Sequence, residues 1–123
     1  MQHDPRALLW DIGHAADVVA EFIRGKEIED YRGDLLLRSA VERQLTILGE
    51  AVVQLSKLAP AIAEQIPERS SVVAFRNLLI HGYAAVVDEI VWGVLRSDLP
   101  VLRDRVAHLL EELDASAPNV PAR

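Results

Sequence analysis

The amino-acid sequence predicts an all-α fold, an up-and-down bundle of four to five helices. Two observations carry that expectation. Apolar residues recur at three- and four-residue steps along most of the chain, and no stretch alternates with the period of two that a half-buried strand needs. Helix start and stop signals also fall between those stretches.

Asp4 followed by Pro5 opens the first helix: the carboxylate caps free N–H groups, and proline suits the first turn. Leu8, Leu9, Ile12, Ala15, Ala16, Val19, Ala20 and Ile23 form its buried stripe, and Gly25 is a plausible stop. A polar connector from Gly25 to Asp34 follows, with Tyr31 its only aromatic residue. The second helix is expected from about Asp34 to Ala59, with Leu37, Val41, Leu45, Leu48, Val52 and Leu55 as its seam. Gly49 lies inside it, where glycine costs about 1 kcal/mol against alanine, so its presence points to close approach by another backbone. Pro60 and Pro67 bracket a short piece. Another helix is expected from Ser70 to Tyr83, and one capped by Asp88 through about Arg96. Ser97-Asp98-Leu99-Pro100 reads as a break and restart, with Asp98 as cap of a last helix ending near Leu113.

The chain has 123 residues, enough for one ordinary domain. Residues 1–114 are read as that domain and 115–123, with two prolines, as a disordered tail. Half of the residues are hydrophobic and 26% are charged, a balance that suits a globular core. Thirteen basic residues against nineteen acidic give a net charge of −6, which argues against a broad basic face coating nucleic acid. With no cysteine, disulfide scaffolds, thiolate-ligated zinc and iron–sulfur clusters are excluded. No apolar run is long enough to span a bilayer, and Met1-Gln2-His3-Asp4-Pro5 lacks the layout of a signal peptide, so a cytoplasmic location is expected. His14 and His108 read as surface or boundary residues, and Trp10 and Trp92 as packing anchors.

The chemistry concentrates in SSVVAFRNLLIHGY, residues 70–83. This stretch is nearly all apolar between its ends, so its helix is expected to be mostly buried, yet it carries Arg76, Asn77, His81 and Tyr83. An unpaired buried charge costs several kcal/mol, so something must face these groups. Glu50 is one possible counter-ion, in which case the group is a structural network. On a helical projection with Arg76 at zero, Tyr83 falls near about −20°, Asn77 near 100° and His81 near 140°. Val73 and Ile80 share that side. A mixed polar and apolar surface with arginine at its centre suits a cleft or an interface. Arg76 and His81 are too far apart around the helix to touch. They can converge if the helix ends near His81 and turns the ring inward, or if a two-fold related copy supplies the missing group. The second is favoured because it also buries Val73 and Ile80. No cluster of Asp, Glu and His stands at ligand spacing, so no metal or other cofactor is expected.

Arg76-Asn77-Leu78-Leu79-Ile80-His81-Gly82-Tyr83 fits the pattern Arg, four residues, His, any residue, Tyr. It resembles the signature of HEPN domains of the HepT type, the toxin half of a bacterial toxin–antitoxin pair. The resemblance covers most of the chain. Arg43-Gln44-Leu45-Thr46-Ile47-Leu48-Gly49-Glu50-Ala51 is similar to the family's long second helix with its Gly-Glu pair. Asp88-Glu89-Ile90-Val91-Trp92 and Asp98-Leu99-Pro100 match further landmarks in order and spacing. The chain departs from the family where a tryptophan often follows the proline before the motif: here Pro67 is followed by Glu68-Arg69-Ser70.

The resemblance implies a metal-independent endoribonuclease acting as a homodimer, with RNA and not DNA as substrate. Arg76 and His81 would be catalytic, and Asn77 would support them or bind substrate. It also implies a partner, a minimal nucleotidyltransferase antitoxin that attaches AMP to Tyr83. Each phosphodiester so added would bring negative charge beside Arg76, where RNA phosphate would sit. Two other readings fit the same residues: a non-catalytic, nucleotide-binding regulatory subunit of a nucleotidyltransferase, and a helical dimerisation module without a ligand.

Overall fold

The computed structural model describes residues 4–81 and 87–116. All regular structure in them is helical. Helix α1 spans Pro5–Phe22, and the Asp4 carboxylate accepts a hydrogen bond from the Ala7 N–H at 2.8 Å. Its apolar stripe is buried from Leu8 to Val19. Gly25, at a φ of +72°, takes the left-handed conformation that lets the chain turn away.

The connector is not wholly irregular. It holds a short helix, α2, Ile28–Arg32, entered where the Asp30 carboxylate accepts the Glu27 N–H at 2.8 Å. Tyr31 is fully buried there, its ring 5.6 Å from that of Trp92. Helix α3, Leu35–Leu58, starts at Asp34, whose side chain accepts the Leu37 N–H at 3.0 Å. The expected seam, Leu37 through Leu55, is buried along its whole length. Helix α4 is the single turn Pro60–Ala63, and α5 spans Arg69–His81.

The expected restart at Asp98 does not occur. Helix α6, Asp88–Gly93, passes through a π turn, Val94–Asp98, into α7, Leu99–Ser116, without leaving helical geometry. The Leu99 N–H donates to the Val94 carbonyl, five residues back. Pro100 explains the wide turn: it has no N–H for the carbonyl four residues earlier, and its ring would crowd that carbonyl in a regular α-helix. Asp98 therefore lies inside the π turn and caps nothing. Helix α7 runs past the end expected near Leu113, and 117–123, the remainder of the expected tail, lie outside the described residues.

Helix α3 packs against α1 and α5, and α7 packs against α1. Leu9, Ile12, Leu48, Val52, Leu102 and Val106 meet in one core. Helix α5 is less enclosed than its composition predicts. Phe75 is its one buried side chain, Val72, Val73, Leu78 and Leu79 are partly buried, and Ile80 is 39% exposed. A helix on the outside of a bundle can turn only one stripe inward, so its further apolar residues remain accessible. Trp10 also departs from expectation: it is 56% exposed and stacks on His14 with ring centroids 4.6 Å apart, whereas Trp92 packs inward.

Candidate active site

Helix α5 lies along α3 at Gly49, and this contact places the motif arginine. A Cβ on Gly49 would lie 2.4 Å from Arg76 Cβ and 2.6 Å from its Cγ, distances that real Cβ atoms do not adopt. Only a residue without a side chain lets the Arg76 stem cross α3 here. The close approach expected at Gly49 is thus made by the stem of an arginine.

The next residue, Glu50, meets the head of the same side chain. Its Oε1 accepts a hydrogen bond from Arg76 Nη2, in an ion pair. Arg76 Nη1 donates to Asn77 Oδ1 at 2.8 Å. The Arg76 side chain is 21% exposed and that of Glu50 is 47% exposed, so the charge pairing itself is worth no more than about 1 kcal/mol. Its geometric effect is larger: the stem is fixed at Gly49, and both ends of the fork have acceptors. A guanidinium carries five N–H donors. Nε is buried without a partner among the described residues, and one donor on each Nη is engaged. The second donor on each Nη has no partner among the described residues.

Helix α5 continues unbroken through His81, so that side chain leaves it about 140° around from Arg76. His81 is exposed, and among the described residues no hydrogen bond or ion pair joins it to Arg76 or Asn77. The structure brings together Arg76, Asn77 and Glu50 and leaves His81 facing outward. Tyr83, with Gly82, lies outside the described residues. Arg43 makes no ion pair with Glu50. Among the described residues no three His, Asp or Glu side chains gather as a metal site would require. A cleft of about 720 Å³ between α1 and the π turn is lined by Asp17, Arg24, Arg96 and Arg103, and contains no motif residue. No helix among the described residues is long and apolar enough to cross a membrane.

Comparison with known proteins finds a match over residues 12–109 to the family described as Ribonuclease HepT-like. The chain is 31% identical over 108 residues to a provisionally named RNase of Caldanaerobacter subterraneus subsp. tengcongensis, covering 88% of this chain and 96% of that one. It is 30% identical over 109 residues to a probable ribonuclease HepT of Thermococcus cleftensis, covering 89% and 98%. A larger Methanocaldococcus jannaschii protein, named as a gamma-glutamylcyclotransferase and provisional RNase, is 28% identical over 97% of this chain. The chain spans about half of that relative's length, 53%. No solved structure matches the chain significantly.

Proposed function

The chain belongs to the HepT-like ribonuclease family, and on that footing we propose that it is a metal-independent endoribonuclease, the toxin of a toxin–antitoxin pair. The observation that carries this reading is the state of Arg76: held on its two Nη atoms by Glu50 and Asn77, with one donor on each Nη unpartnered among the described residues.

RNA carries its own nucleophile. The 2′-oxygen attacks the adjacent phosphorus, its proton passes to an imidazole, and the 5′-oxygen leaves with a proton from a second imidazole. The products are a 2′,3′-cyclic phosphate and a 5′-hydroxyl, and no metal is needed. The Arg76 fork matches two phosphate oxygens and stabilises the charge that grows on them. Because Arg76 and His81 diverge on one helix, two copies of α5 facing each other across a two-fold axis would bring one subunit's arginine to the other's histidine. The half-exposed Ile80 and the partly buried Val73 supply apolar surface for that contact. Tyr83 would receive AMP from a nucleotidyltransferase antitoxin, and the added phosphate would occupy the arginine in place of RNA.

The test is cleavage of single-stranded RNA by the purified chain in excess EDTA, with end-group analysis of the products. Cyclic phosphate ends from the wild type, and intact RNA with His81→Ala, are expected. Cleavage that needs a divalent cation, or that survives the substitution, overturns the reading. Formation of a tight complex with a nucleotidyltransferase by a wild-type chain that never cuts RNA would instead favour a regulatory subunit.

A further inference from the structure

We infer that Glu50 is a positioning residue for Arg76: its carboxylate aims the arginine fork at substrate phosphate while never touching the reacting atoms. The inference rests on the ribonuclease reading above and adds to it a residue from outside the motif helix.

The residues on α3 act on both parts of one side chain. Gly49 admits the Arg76 stem, and Glu50, one residue on, accepts from Nη2. Asn77 holds the other branch from within α5. An arginine held at one point can swing through its χ angles. One held at its stem and on both Nη atoms has a single plane, so the second donor on each Nη points in a fixed direction. The Nε–H is buried without a partner among the described residues, so the two Nη contacts are the ones that fix the fork. The Glu50 side chain is half exposed, which suits a group that orients a neighbour more than one that holds the core together. A carboxylate that instead occupied the place of substrate phosphate would act as a latch, and its removal would raise activity.

Two measurements on the full-length chain separate these cases. The first is NMR of the arginine side-chain N–H groups, with Arg76 assigned by comparison with Arg76→Lys. In the wild type its Nη protons are resolved, because two acceptors hinder rotation. In Glu50→Ala they merge, and in Glu50→Gln, which keeps an Oε1 acceptor, they stay resolved. The second is RNA cleavage. Glu50→Ala lowers kcat by about 10- to 100-fold with little change in KM, and Glu50→Gln recovers most of the loss. Glu50→Asp, whose carboxylate is one methylene shorter, serves as a second disruptive variant if the alanine variant does not fold. Unchanged Nη signals in Glu50→Ala or Glu50→Asp, or a kcat equal to or above the wild type's, overturn the inference. A wild-type chain that fails to cleave RNA sinks the functional reading, while the NMR comparison still decides whether Glu50 orders Arg76.

Discussion

Arg76 fills the space that a side chain on Gly49 would need: a methyl group on the glycine would stand 2.4 Å from the arginine's Cβ. Alanine at this position should raise helix propensity by about 1 kcal/mol. It should also force α5 away from α3 or drive Arg76 off its rotamer, and overpacking of that kind costs about 1–3 kcal/mol. Gly49→Ala is therefore expected to be destabilised on balance and to lose RNA cleavage, because the stem that it displaces carries the fork. Thermal unfolding and a cleavage assay check the two halves separately. A variant more stable than the wild type would mean that the helices part freely here.

How much of this was legible in the sequence depended on the length of each pattern. The α3 seam repeats over about five turns, and every residue read into it is buried. The Asp4 cap and the helix start near Asp34 are local chemistry and need no tertiary information. The short α2 helix was hidden because five residues cannot display a helical period, and its burial depends on Trp92, distant in sequence. In sequence the π turn looks like a break because proline in a helix usually marks one, and only the register of the carbonyls shows otherwise. Composition overstates the enclosure of α5 because apolar residues record that a surface needs covering, not whether the same chain covers it. At the site, Gly49 and Glu50 could be picked out singly, as a close approach and as a possible counter-ion. That both act on Arg76 required the packing of α3 against α5.

His81 should be separable from stability. Its side chain is exposed at the last residue of α5, so His81→Ala should change unfolding free energy by no more than about 0.5 kcal/mol. Loss of a general acid or base costs roughly 10²- to 10⁴-fold, so cleavage should fall at least to the lower of those limits. Denaturant unfolding and single-turnover cleavage on the same preparation show whether the two effects dissociate. A variant that loses activity only as it loses structure would return the motif to a structural role.

Stability near neutral pH should improve when Glu42 loses its charge. Burial raises the pKa of this carboxyl, Asp88 adds to the shift, and Arg38 partly offsets it. The buried Tyr31 hydroxyl, unpartnered among the described residues, is raised by its burial first and then by Glu42 and Asp88. A folded-state carboxyl pKa above the unfolded value means that the native chain holds more protons in the window between the two. Stability is then lost as pH rises through that window and stays lower above it. Glu42→Gln removes this penalty, so it should unfold at a higher temperature than the wild type at neutral pH. The advantage should vanish below the ordinary glutamate pKa of about 4.3. Paired melts across that range test the sign: a wild type that gains stability relative to the variant as pH rises would show that Glu42 is held as a favourable anion.

The two-fold arrangement makes its sharpest demand on Ile80. This residue is 39% exposed and is placed by helical spacing on the same side of α5 as Arg76. If α5 faces its copy, Ile80→Asp puts a carboxylate into each side of an apolar seam, and an unpaired charge buried there costs several kcal/mol. The variant should be monomeric by light scattering, keep its helical content, and lose cleavage although Arg76 and His81 are intact. Val101→Asp is the matched control: Val101 is 49% exposed and belongs to α7, not to the motif helix, so the same charge should leave both mass and activity unchanged. Wild-type activity per chain should also fall on dilution once the dimer dissociates. An Ile80→Asp chain that remains dimeric and active would place the subunit contact on another face and leave the divergence of Arg76 and His81 to be closed within one chain.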